Sequence, residues 1–179
     1  MITTAVKRLT FEEFEQMPEQ SGKRELLDGE LIELPPAKLG HNEIAERIFL
    51  KLLATVTELH AGSAAVQLGK VHHEMGYRIA GGWLQPNVSI THAGQQETDY
   101  YLDSPALPVE IISNEKTADY IDKKIKIYLE NGAAEVWVLY PNQEHMWIYK
   151  TGGIGEVVSG SFQSELLAGQ RINLAQFLK

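Results

Sequence analysis

The sequence contains no cysteine. That absence excludes disulfides, thiolate metal sites and cysteine nucleophiles, and it is in keeping with a cytoplasmic protein. Long apolar runs are missing as well. Nowhere do about 18 apolar residues follow one another, so no transmembrane helix is expected. Met1 to Thr10 lack the apolar stretch of a secretory signal. There is no basic excess either: the formal net charge is −8. Proteins that bind nucleic acid without sequence preference usually carry a basic surface, because neutralised phosphates supply the affinity. Any nucleic-acid contact would therefore need a local basic patch, a partner, or a metal that bridges the phosphate. Several familiar motifs are also lacking. No Gly-x-Ser-x-Gly elbow occurs. Gly152-Gly153-x-Gly155 lies near two strands rather than before a helix, and reads as a turn instead of a phosphate loop. His72 and His73 are adjacent, so a strand would send them to opposite faces, and no His-x-x-x-His spacing appears.

What remains is a chain of 179 residues, long enough for a full hydrophobic core and expected to form one domain over 1–179. No internal repeat, low-complexity tract or linker interrupts it. Thr10 can cap a short helix, with Glu13 three residues on and Phe11 and Phe14 as its apolar edge; Pro18 to Gly22 ends it. Asp28-Gly29 between two apolar runs predicts a hairpin over 24–34, stopped by Pro35-Pro36. Ile44, Ile48, Leu52, Val56 and Leu59 recur at helical spacing, with Ala45, Phe49 and Leu53 alongside and Gly62 at the end. Ala64 to Ile90 reads as two or three strands broken at Gly76 and Gly81-Gly82, and Thr91 to Pro105 as a polar loop. Leu107 to Ser113 is a short strand, Thr117 to Glu130 a second helix ending at Asn131-Gly132, and Glu135 to Tyr140 an apolar strand. That unit should be a right-handed crossover joining parallel strands. Met146 to Tyr149 forms a hairpin partner across Pro141-Asn142. The C-terminal part is strand-like, followed by a short helix near Leu174 to Leu178. The order implies an α/β or α+β protein, a mixed sheet flanked by two main helices.

Five residues resist a purely structural reading. Glu110 sits in Val109-Glu110-Ile111-Ile112, in an expected interior strand, where an unpaired carboxylate is costly. Its bland reading is a strand-end carboxylate reaching solvent. Strand alternation puts Leu84, Val88 and Ile90 on one face and Gln85, Asn87 and Ser89 on the other, so Asn87 lines a polar cleft or simply faces water. Lys124 borders the stripe of Ile121, Ile125, Tyr128 and Leu129. It snorkels to solvent, or reaches over the sheet to a carboxylate on the preceding strand, which carries Glu110. Glu25 opens an apolar strand and has the look of an edge-strand charge. His41, just before the long helix, reads more readily as a surface or cap residue than as a ligand.

Together these segments resemble a large bacterial family of restriction-endonuclease type, within the PD-(D/E)XK nuclease superfamily. The resemblance starts with Arg24-Glu25-Leu26-Leu27-Asp28-Gly29-Glu30-Leu31-Ile32-Glu33-Leu34. It continues through His41 and Gln85-Pro86-Asn87-Val88-Ser89-Ile90. It is strongest in Val109-Glu110-Ile111-Ile112-Ser113, Lys124-x-x-x-Tyr128 and Gly132-Ala133-Ala134-Glu135-Val136-Trp137-Val138. The motifs follow in family order from about Phe11 to Tyr149.

The resemblance implies a restriction endonuclease-like core and metal-dependent hydrolysis of nucleic acid, DNA in the first instance. It implies Mg²⁺ or Mn²⁺ as cofactor. Glu110 takes the glutamate position and Glu25 a further acidic one. The superfamily's usual lysine place, two residues after the glutamate, holds Ile112; Lys124 matches the family's lysine on the following helix. Lys124, Glu110 and Glu25 are thus the implied catalytic residues, and Glu110 with position 87 the implied metal ligands. The chain departs at position 87, where the family pattern has aspartate after proline and this chain has Asn87. An amide oxygen can ligate magnesium but brings no charge, so weakened metal binding and impaired hydrolysis are expected unless Glu25 compensates. The alternative is an inactive member acting as a nucleic-acid-binding or protein-interaction module. A homodimer is also expected, with Tyr100-Tyr101-Leu102 as a contact patch unless it folds back on its own sheet.

Overall fold

The capping box at Thr10 is formed: the Glu13 N–H donates to Thr10 Oγ1 at 3.2 Å and the Thr10 N–H to Glu13 Oε2 at 3.0 Å. Helix α1 (Phe11–Glu15) follows from it. The computed structural model describes residues 8–18, 21–62, 67–112, 118–153 and 155–179. Parts of the sequence expectations therefore lie outside the described residues: Met1 to Lys7, the strand start at Ala64, the strand end at Ser113 and the helix start at Thr117.

Strands β1 (Lys23–Leu27) and β2 (Glu30–Leu34) form the predicted antiparallel hairpin. Asp28 and Gly29 both have positive φ, 51° and 77°, which a tight two-residue turn requires. Helix α2 (Leu39–Ala61) buries Ala45, Ile48, Leu52, Val56 and Leu59 as the spacing predicts, whereas Leu53 faces outward. Truncating the fully buried Leu52 would cost about 2–5 kcal/mol, the usual range for a leucine-to-alanine cavity.

The region expected to hold two or three strands holds four: β3 (Leu68–His73), β4 (Tyr77–Ile79), β5 (Gly82–Leu84) and β6 (Val88–His92). The additional break falls at Gln85 to Asn87. Strand β7 (Leu107–Ile111), helix α3 (Ala118–Glu130) and β8 (Glu135–Tyr140) form the predicted strand–helix–strand unit, with β7 and β8 parallel. Strand β9 (His145–Lys150) returns antiparallel to β8 after a single 3₁₀ turn, Pro141–Gln143. Strands β10 (Gly155–Val158), β11 (Ser161–Ser164) and β12 (Gln170–Asn173) and helix α4 (Ala175–Leu178) complete the chain.

Two principal sheets result. A six-stranded mixed sheet runs β10-β9-β8-β7-β6-β3, a four-stranded sheet runs β2-β1-β5-β4, and β11-β12 pair separately. The six-stranded sheet divides two cores. Leu107, Val109 and Ile111 pack in a cluster with the apolar residues of α2, while Val136 and Val138 join Ile121, Ile125 and Tyr128 of α3 and Leu27, Tyr77 and Leu84 of the smaller sheet. Alternation along β7 thus sends Glu110 to the α3 side. The smaller sheet closes tightly there. A Cβ on Gly82 would overlap the Leu26 carbonyl oxygen, so only glycine lets β5 come this close to β1.

One alternative left open by the sequence is decided at this level. Tyr101 is buried and stacks on Tyr77 with ring centroids 5.3 Å apart, so the loop folds back on its own sheet and leaves Leu102 as the exposed apolar residue of the suggested patch. Among the described residues, no helix is long and apolar enough to cross a membrane.

Candidate active site

Strand β1 of the smaller sheet, β7 of the larger one and α3 bring Glu25, Glu110 and Lys124 together, each with 0% side-chain exposure. Glu25 is not an edge charge, because β1 lies between β2 and β5. Lys124 does not snorkel. Its Nζ donates to Glu25 Oε1 at 2.8 Å and lies 2.5 Å from Glu110 Oε1, bridging two sheets through one ammonium. A carboxylate or ammonium in such an interior is tolerated only when paired and hydrogen-bonded, and here each is.

Two tyrosines, one helical turn before and after Lys124, complete the cluster. Tyr120 Oη donates to Glu25 Oε2, and Tyr128 Oη donates to Glu110 Oε1 at 3.1 Å. The Gln85 N–H donates to Glu25 Oε1 at 2.8 Å. Burial by itself would push the Glu25 carboxyl up. The ammoniums of Lys124 and then Lys23 outweigh it, despite Glu110, and hold it below its ordinary value. Burial opposes the charged form of Lys124, but Glu110 and Glu25 raise its pKa well above the usual lysine value. Glu25 and Lys124 are therefore each held in the charged form, with Tyr128 kept neutral chiefly by burial.

Asn87 belongs to a second, cleft-facing group. It is 3% exposed, so the reading that turned it to water fails. Its Oδ1 accepts the Ile111 N–H at 2.9 Å. Its Nδ2 donates to Glu74 Oε1 at 2.8 Å and to His41 Nε2 at 3.0 Å. Three partners fix the amide orientation. Turning it over would set its N–H₂ against the Ile111 N–H and its oxygen against a carboxylate. The imidazole must then be neutral with its hydrogen on Nδ1. The cleft has a volume of about 850 Å³; its lining includes Lys23, His41, Glu74, Gln85, Asn87 and Ile111 but not Glu25, Glu110 or Lys124. Lys23 links the two groups, its Nζ 3.7 Å from Glu25 Oε1 and 3.4 Å from Glu74 Oε2.

The residues present do not fit a magnesium or manganese ion shared by Asn87 and Glu110. The amide oxygen is engaged by backbone, and the side of residue 87 towards Glu74 and His41 offers hydrogens instead of lone pairs. Glu110 Oε1 already receives Lys124 and Tyr128. Among the described residues, no group of three or more His, Asp or Glu could hold a metal ion.

Sequence reasoning thus found the buried three and position 87, but missed Glu74, Lys23 and Tyr120. Tyr120 was accessible, because it stands four residues from Lys124 as Tyr128 does. Glu74 follows His73 in a turn, at φ 52°, and carries no periodic signal.

The sequence profile of the Uma2 family, described as "Putative restriction endonuclease", matches residues 11–177. The chain belongs to the Uma2 family. Its fold is also that of a solved protein from Anabaena variabilis described as "a putative nuclease belonging to DUF820". The two share 16% identity, with a TM-score of 0.78 over 95% of this chain and 97% of the other. At that identity the likeness concerns the fold: a mixed α+β, restriction endonuclease-like core. No curated protein sequence matches the chain. Uma2 membership gives the chain a nuclease-like function in the coarse sense. What this member does with Asn87 is a separate question.

Proposed function

We propose that this protein is a DNA endonuclease of the Uma2 family, cytoplasmic and homodimeric, whose phosphodiester hydrolysis is impaired by Asn87. One observation carries the reading: the Asn87 amide oxygen is turned to the Ile111 N–H and its nitrogen to Glu74 and His41. The hydrolysis expected of the family depends on Mg²⁺ or Mn²⁺ beside residue 87 and Glu110. An amide so oriented turns its hydrogens towards Glu74 and His41, leaves its oxygen shared with a backbone N–H and brings no charge, so both ions are bound weakly. The rest of the centre is kept. Lys124 holds a buried positive charge suited to offsetting charge on a phosphate undergoing attack, and Glu25 with Tyr120 fixes where that charge sits. Glu110 is the carboxylate nearest to Lys124 and shares that ammonium with Glu25.

The same amide favours a second reading, a member that binds nucleic acid or a protein partner without cutting. The test is cleavage of plasmid and single-stranded DNA in Mn²⁺ or Mg²⁺ by wild type, Asn87→Asp, Glu110→Ala and the double variant. The impaired nuclease predicts slow cutting by wild type and faster cutting by Asn87→Asp, both abolished by Glu110→Ala. Asn87→Asp that binds Mn²⁺ yet leaves DNA intact would sink it in favour of the binding module.

A further inference from the structure

Two acceptors from different elements converge on one nitrogen. His41 Nε2, from the first turn of α2, lies 3.0 Å from Asn87 Nδ2. Glu74 Oε1, from the turn between β3 and β4, lies 2.8 Å from the same atom. The Ile111 N–H holds the amide oxygen elsewhere, so the nitrogen is fixed towards this pair. The turn is tied to residue 87 directly: the Glu74 N–H donates to the Asn87 carbonyl at 3.1 Å. Glu74 also keeps a left-handed backbone, φ 52°, which disfavours a residue with a Cβ. A carboxylate and a neutral imidazole nitrogen aimed at one point on a cleft wall are the donor chemistry of a cation site. Here the point is filled by an N–H₂ group.

We propose that His41 and Glu74 are ligand positions of a divalent-cation corner distinct from the Glu25–Glu110–Lys124 cluster, and that in this chain the Asn87 amide nitrogen occupies the cation's place. The inference rests on the reading above only in treating position 87 as metal-holding. An aspartate there would keep one oxygen on the Ile111 N–H and set the other against the imidazole and the Glu74 carboxylate. Two carboxylates and an imidazole would then converge beside the single ammonium of Lys23, 3.4 Å from Glu74 Oε2, and the excess of negative charge is what a divalent cation relieves. One imidazole and two carboxylates suit Mn²⁺, Co²⁺ or Zn²⁺ better than Mg²⁺ or Ca²⁺, which prefer all-oxygen shells. The chain as it stands holds the same geometry without an ion.

Calorimetric titration with Mn²⁺ tests this on the full-length wild type, on Asn87→Asp, and on Asn87→Asp combined with His41→Ala, Glu74→Gln or Glu110→Ala. Asn87→Asp is expected to bind Mn²⁺ about tenfold or more tightly than wild type, and His41→Ala and Glu74→Gln each to remove that gain, as loss of a ligand should. Glu110→Ala should leave most of it, and Mg²⁺ should bind more weakly than Mn²⁺. Affinity unchanged by both His41→Ala and Glu74→Gln would overturn the proposal, as would equal Mn²⁺ affinity in wild type and Asn87→Asp. Thermal unfolding gives a second readout: Asn87→Asp should melt below wild type in chelator and recover in Mn²⁺, and a melting temperature indifferent to Mn²⁺ would overturn the proposal. If Asn87→Asp does not fold in chelator, refolding from denaturant with and without Mn²⁺ gives the same decision. None of these readings depends on cleavage. Uncut DNA with Mn²⁺ bound through His41 and Glu74 defeats the endonuclease reading alone, and Glu110-dependent cutting with no role for His41 or Glu74 defeats the corner alone.

Discussion

Glu25, Glu110 and Lys124 have no exposed side-chain surface, whereas the Glu74 side chain in the neighbouring corner is 32% exposed and His41 is half-buried. The two groups lie either side of Lys23 and meet opposite demands. The buried cluster consists of full charges removed from water, so each member is indispensable to the others. The cleft corner is centred on a neutral amide whose partners retain access to solvent. Removing one member should therefore unbalance the cluster far more than the corner, and the contrast can be measured.

Lys124→Met should have the largest effect. It leaves two carboxylates in the interior without their shared cation and should cost about 3–5 kcal/mol, read by urea unfolding at neutral pH. A loss below about 1 kcal/mol would mean that water reaches the cluster and that the two regions are alike. Glu25→Gln should cost less, because Glu110 still pairs with Lys124, and it should also change the pH profile. The folded Glu25 carboxyl titrates below 4.5, so its stabilisation is fully present above that pH and is lost as pH falls through the lower folded value. Unfolding midpoints of Glu25→Gln should accordingly fall less steeply than those of wild type in acid. Next comes Asn87→Ala, which strips the Ile111 N–H of its buried acceptor at an expected cost of about 1–3 kcal/mol by the same unfolding measurement. Smallest is His41→Ala, about 0.5–1.5 kcal/mol for one partly exposed hydrogen bond. If thermal melts show His41→Ala more damaging than Lys124→Met, the comparison is reversed.

Much of this arrangement could be seen in advance because periodicity marks elements of sufficient length. The α2 stripe, the Asp28-Gly29 hairpin and the β7–α3–β8 unit were legible, and they place Glu25, Glu110 and Lys124. The second sheet was not. Strands β4 and β5 are three residues each, too short for alternation to separate them from turns. Without that sheet, β1 looks like an edge and Glu25 like a solvated charge. The depth of Lys124 was hidden for a related reason: a lysine beside an apolar stripe becomes internal only when another layer covers it. Alternation alone does not decide between a cleft and water for Asn87, because it takes no account of β6 being enclosed on both faces, as its buried Ser89 shows. Glu74 reaches position 87 from a turn, where neither spacing nor residue type announces a role.

The bonds that join Glu25 to Tyr120 and Lys124 span 95 and 99 positions of the chain. A state that lacks the first hairpin leaves the ammonium to Glu110 alone, and one that lacks α3 leaves both carboxylates without it, so neither segment is a comfortable place for the native state to fray alone. Hydrogen exchange should find β1 and α3 opening as one cooperative unit, near the free energy of global unfolding, although each lies close to surface loops. The charged triad is in that sense a latch: it is complete only when the first hairpin and α3 have both docked.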